Sequence, residues 1–110
     1  MVQTRDTEEM LEQWGLWVVQ GSGVPSCAVV GYRPTPMITD DEALLLDRLI
    51  ARLGKRYPEC GEVILRYYTS GLPLDQLSRK MGFSKEKTRQ LWKAGVAWLD
   101  GALEHRREAA

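Results

Sequence analysis

One histidine and two cysteines make up the whole stock of imidazole and thiol in this 110-residue chain. A zinc site draws on about four such ligands, so His105, Cys27 and Cys60 do not suffice, and no metal or other cofactor is expected. His105 also has no nucleophile near it in sequence, and no glycine-rich phosphate loop occurs. Paired carboxylates stand at Asp40 and Asp41, but a helix N-terminus accounts for them. Catalysis has no assembled residues to work with, and the chain is read as not an enzyme. Two cysteines this far apart, in a reducing compartment, are expected as free thiols.

Long apolar runs are also missing. None approaches the roughly 20 residues that cross a bilayer, and the opening "MVQTRDTEEM" is too acidic and polar for a signal peptide. A cytoplasmic protein with no membrane partner is the expectation. Hydrophobic content of 44% and charged content of 27% suit a folded chain, and the length suits one compact domain. Net charge is zero, but its halves differ. Residues 1–50 hold three arginines against eight acids, while residues 51–110 hold twelve basic side chains against seven acids. The result is an acidic first half and a basic second half, as a polyanion-binding surface would need.

Apolar spacing predicts five helices and an all-α helical bundle. Over 6–19, Met10, Leu11, Trp14, Trp17 and Val18 form one stripe. Residues 20–38, with "GSGVPS" and "GYRPTP", read as an ordered loop. Thr39 and Glu42 form a capping box for a second helix. Leu45, Leu46, Leu49, Ile50 and Leu53 make its stripe, and Gly54 reads as its stop. Pro58 opens a third helix to about Thr69, burying Val63, Ile64, Tyr67 and Tyr68, with Gly71 as its terminator. A short fourth helix spans 73–81, with Leu74, Leu77 and Met81 inward and Gly82 closing it. Ser84 caps a fifth helix to about Glu104, followed by a frayed "HRREAA". The organisation is an N-terminal helix and loop over 1–38, then a helical module over 39–110, in one compact domain.

The segment "YYTSGLPLDQLSRKMGFSKEKTRQLWKAG" carries the functional signal. Two helices joined by a short glycine turn describe a helix-turn-helix, which presents the start of its second helix to a DNA major groove. The spacing turns Thr88, Leu91, Trp92, Gly95 and Val96 inward and Lys85, Glu86, Lys87, Arg89, Gln90 and Lys93 outward. Lysine and arginine neutralise phosphates or read guanine, glutamine pairs with adenine, and a carboxylate accepts from cytosine N4. Glu86 is the informative member, because a purely nonspecific polyanion binder would exclude a carboxylate there. The plain alternative is a solvated helix face, which the glycine turn placed directly before the polar cluster disfavours.

At these residues the chain resembles the promoter-binding region 4 of bacterial sigma factors, through "L-R-Y", "G-L", a short helix and "M-G-F-S". Pro73 stands where that family has a serine or threonine cap. The resemblance maps promoter −35 contacts onto Lys85, Glu86, Arg89 and Gln90. Over nearly its whole length the chain resembles the antitermination protein Q family of lambdoid phages and prophages. The matching residues are Glu12, Trp14, Gly15 and Trp17, then "GYRP", the acid-capped helix from Asp40 to Leu53, and Trp98 to Gly101. That resemblance implies a DNA-binding antitermination factor that binds a late-promoter element, engages RNA polymerase with its sigma factor and promotes terminator readthrough. Its implied partners are double-stranded DNA and bacterial RNA polymerase, and its size is compatible with two copies on one site. Two other readings stay open, a helix-turn-helix initiation regulator and a helical protein-interaction module. Trp14 and Trp17 are expected in the core rather than against polymerase, because large aromatics dominate buried area.

Overall fold

The computed structural model describes residues 4–21 and 38–109. It is all-α, with helices α1 (Thr4–Gly21), α2 (Asp40–Arg56), α3 (Pro58–Ser70), α4 (Leu74–Met81) and α5 (Lys85–Ala109). The predicted loop over 20–38 falls largely outside the described residues, as does Cys27; Gln20 and Gly21 belong to α1. Among the described residues no helix is long and apolar enough to cross a membrane.

The core forms where the apolar stripes meet. Leu11, Trp14, Leu46, Leu53, Val63, Ile64, Leu77 and Leu99 are all but fully buried. Met10, Trp17, Val18 and Leu45 pack partly buried around them. Trp14 thus belongs to the core as expected. Trp17 is half-buried, and its Nε1–H donates to Asp40 Oδ1 at 3.0 Å, which ties α1 to the first turn of α2. Thr7, fully buried, donates from Oγ1 to Asp100 Oδ1 at 2.6 Å and ties α1 to α5.

Helix α3 is the hub, and glycines let three helices come close to it. A Cβ on Gly15 would overlap the Tyr68 carbonyl oxygen where α1 crosses α3. A Cβ on Gly61 would overlap the Gly54 backbone where α2 crosses it. One on Gly95 of α5 would lie 2.6 Å from Ile64 Cγ1. At the first two crossings the obstacle is backbone, which cannot rotate away as a side chain can.

The capping box at Thr39 is present: Thr39 Oγ1 accepts from the Glu42 N–H at 3.1 Å and Glu42 Oε1 accepts from the Thr39 N–H at 3.1 Å. Pro58 opens α3 as expected, with Tyr57 serving as both the end of α2 and the cap of α3. Two further boundaries differ from the sequence reading. Gly54 does not stop α2, which runs on to Arg56; positive φ occurs only at Gly71 and Gly82 among the described residues. Gly54 serves the α2–α3 crossing instead. Helix α5 also continues past Glu104 to Ala109, since no glycine or proline interrupts residues 102–109.

The Gly15 crossing gives a stability prediction. Gly15→Ala must push α1 off α3 and should destabilise the fold by about 1–3 kcal/mol, the range for an overpacked core. Urea denaturation followed by circular dichroism measures it. An unchanged or raised midpoint would show that α1 does not cross α3 at this point.

Candidate nucleic-acid interface

The surface around the start of α5 is built by a sharp local break. Helix α4 ends in a Schellman closure: the Phe83 N–H donates to Ser78 O at 3.0 Å and the Gly82 N–H to Arg79 O at 3.3 Å. Gly82 holds φ +73, which costs a side-chain-bearing residue about 1–2 kcal/mol. Two residues later Ser84 restarts the chain as a helix. Its Oγ accepts from the Lys87 N–H at 3.1 Å, satisfying one of the unpaired N–H groups of the first turn.

The segment is then fixed from beneath. Thr88 is buried, and its Oγ1 donates back to Ser84 O at 2.9 Å. Trp92 donates from Nε1 to the Tyr68 hydroxyl at 3.1 Å. Tyr67 meets both rings edge-on, at centroid distances of 4.9 Å and 5.7 Å. Burial raises the Tyr68 phenol pKa, outweighing the opposing pull of the Trp92 hydrogen bond, so it stays a neutral acceptor. Gly95 is buried against Ile64 of α3, and Val96 beside it is buried too.

Lys85, Glu86, Lys87, Arg89, Gln90 and Lys93 are all exposed, as their spacing predicted. They are not equally unencumbered. Lys85 Nζ lies 3.4 Å from Asp75 Oδ2 of α4. Lys87 Nζ lies 3.3 Å from Glu59 Oε2 of α3 and 4.2 Å from the centre of the Phe83 ring. Gln90 Nε2 donates to Glu86 Oε1 at 3.3 Å, one turn back. Arg89 and Lys93 make no ion pair among the described residues. Exposed pairs of this kind contribute only about 0.2–1 kcal/mol, so a phosphate can displace either acid.

Sequence reasoning missed these acids, because Asp75 and Glu59 reach the lysines only through the packing of α3 and α4. It also passed over Arg79 and Lys80, exposed in the last turn of α4. Arg79 stands one turn beyond Asp75 on the same side of α4, the side that meets Lys85. Two basic residues directly before a glycine turn were the available signal. No group of three or more His, Cys, Asp and Glu side chains that could hold a metal ion forms among the described residues.

A family model described as phage antitermination protein Q matches residues 4–108. The antitermination protein Q of Escherichia phage 933W is 27% identical over 90 aligned residues, covering 73% of this chain and 62% of that protein. The antitermination protein Q of Enterobacteria phage VT2-Sa matches with the same figures. The prophage antitermination protein Q homolog QuuD of Escherichia coli strain K12 is 24% identical over 86 residues, covering 69% of this chain and 68% of its own length. The alignments to the two phage proteins thus span somewhat less than two thirds of their length. No solved structure matches.

The turn sets what a substitution beneath this surface should do. No atom lies within 4 Å of a Cβ built on Gly82, so the penalty at that position is purely backbone strain. Gly82→Ala should lower stability by about 1–2 kcal/mol, and Gly82→Asn by less, because asparagine tolerates the left-handed region. Thermal denaturation of the pair checks the order. Equal stability of alanine and glycine there would mean that the turn is not left-handed.

Proposed function

The chain belongs to the phage antitermination protein Q family, and on that premise we propose that it is a DNA-binding antitermination factor. In this reading α4, the Gly82 turn and α5 act as a helix-turn-helix. The start of α5 enters the major groove of a late-promoter element. The protein then engages RNA polymerase with its sigma factor and promotes readthrough of terminators. This places it in the bacterial cytoplasm, with duplex DNA and polymerase as partners and a binding rather than a catalytic role.

One observation carries the DNA part: six consecutive outward positions of α5 are long polar side chains, and the buried Thr88 and half-buried Trp92 between them clamp the same turns to the body. A helix start held rigidly to the body, with polar side chains facing outward, is what base readout requires. The residues then divide by task. Arg89 and Lys93, without competing acids, take phosphate or guanine. Lys85 and Lys87 exchange Asp75 and Glu59 for phosphate. Glu86 and Gln90 act as a linked pair facing base edges. Arg79 and Lys80 extend the positive surface along α4.

The same division orders the mutational outcomes. Lys93→Ala should weaken binding to cognate and scrambled duplexes alike and reduce the salt slope by about 0.9, the value for one phosphate contact. Gln90→Ala and Glu86→Ala should relax base preference by about 1–3 kcal/mol each. The double variant should fall short of their sum, because the two side chains share a hydrogen bond. Fluorescence anisotropy across a salt series reads all of these, and uniform losses on both duplexes for every variant would count against base readout. Function is tested by transcription in vitro from the cognate late promoter into a downstream terminator. An antitermination factor raises readthrough, and Arg89→Ala lowers that gain. A factor that changes transcript number but not readthrough is an initiation regulator, and the proposal fails.

A further inference from the structure

Helix α2 carries a second run of positive charge, outside the surface at the start of α5. Arg48, Arg52, Lys55 and Arg56 stand at i, i+4, i+7 and i+8, so they share one face, and all four are exposed. Between Arg48 and Arg56 the other exposed residue is Ala51. None of the four makes an ion pair among the described residues. Asp47 directly precedes Arg48, but neighbouring positions of a helix do not face each other.

Helix chemistry accounts for only part of this run. Cations in a last turn meet the negative end of the helix dipole, which explains Lys55 and Arg56. Arg48 and Arg52 lie two turns and one turn earlier, where that field has faded. A solvated face gains from opposite charges at i, i+4. Here Arg48 with Arg52, and Arg52 with Arg56, are like charges at that spacing, which disfavour the helix.

The end of this face adjoins the start of α5. Arg56 stands three residues before Glu59, which Lys87 Nζ of α5 approaches at 3.3 Å. Helix α2 itself packs against α5, where Leu53 Cδ2 would lie 3.6 Å from a Cβ on Gly95.

We propose that the Arg48–Arg56 face of α2 holds the phosphate backbone of the same duplex, beside the groove that α5 enters; the proposal rests on α5 binding DNA. At 1.5 Å per residue the face is about 12 Å long. One strand of a duplex presents about three to four phosphates over that length of axis, a match in number for four cations. No large apolar side chain is exposed between the charges, whereas protein interfaces are built on aromatic and apolar anchors at their centre. A polyanion therefore fits this face better than a protein does. Contacts to phosphate position a duplex and carry no base information.

The test uses the full chain and a duplex carrying the late-promoter element, with fluorescence anisotropy read across a salt series. Arg52→Gln should reduce the salt slope by about 0.9, and Arg48→Gln/Arg52→Gln by about 1.8, the values for one and two phosphate contacts. The double variant should weaken binding to cognate and scrambled duplexes by the same factor. Arg48→Lys/Arg52→Lys should keep the wild-type slope, because charge alone is needed. Arg66→Gln removes a cation of α3 that Glu62 holds at 2.8 Å; it should leave the slope unchanged, as the control for net charge. Circular dichroism checks the fold of each variant. If Arg89→Ala weakens binding but the double glutamine variant keeps the wild-type slope, the proposal is overturned and DNA binding by α5 stands. If the wild-type chain retains neither duplex, both fail. A loss confined to the cognate duplex would mean base readout and would overturn the proposal too. So would a double variant with unchanged slope that no longer self-associates in sedimentation, which would assign the face to a second copy of the chain.

Discussion

Everything in this molecule is built outward from the closeness with which α3 is approached. Helices with ordinary side chains at their contact pack about 8–10 Å apart. Here Gly15 of α1, Gly61 of α3 itself and Gly95 of α5 remove the side chain where α1, α2 and α5 in turn cross α3. The short separations to α1, α2 and α5 let a hub of 13 residues contact all four other helices. They also place the ring of Tyr68 where Trp92 can reach it, which is how the hub fixes the middle of α5. A β-carbon at the first two crossings would meet main chain, and main chain can yield only by moving a whole helix.

From that hub the exposed start of α5 follows mechanically. Trp92 and Gly95 hold the helix to α3, Thr88 and Ser84 lock its first turns, and the Gly82 turn ends α4 before α5 begins. The outward residues between these anchors are long and polar, and part of their charge is already answered from within the chain by Asp75 and Glu59. Those intramolecular pairs orient Lys85 and Lys87 in the absence of a ligand. They also set a threshold: only a polyanion that competes with two carboxylates displaces them.

Much of this was readable from the residues alone. The five helices, the capping box at Thr39, the proline start of α3, the Gly82 turn, the Ser84 cap and the inward–outward division of α5 all follow from spacing and capping chemistry, which are local. Gly54 was misread as a helix stop because a glycine has two uses, left-handed backbone and close approach, and sequence does not say which applies. The end of α5 was set too early, since a charged tail reads as frayed although its residues are good helix formers. The partners of Lys85 and Lys87 and the Trp17–Asp40 bond were out of reach. Each depends on residues brought together by tertiary packing. The motif around Trp14 and Gly15 was legible as a family mark, but its physical role, a ring in the core and a bare backbone at a crossing, is visible only in three dimensions.

The central claim is that the clamped, polar start of α5 is the surface that meets duplex DNA. Amide shift mapping of the ¹⁵N-labelled chain, titrated with a duplex carrying the late-promoter element, tests it most directly. The account predicts perturbations concentrated over residues 84–93 and in the last turn of α4. Perturbations confined to other helices, or none at concentrations where the duplex is retained, would contradict it.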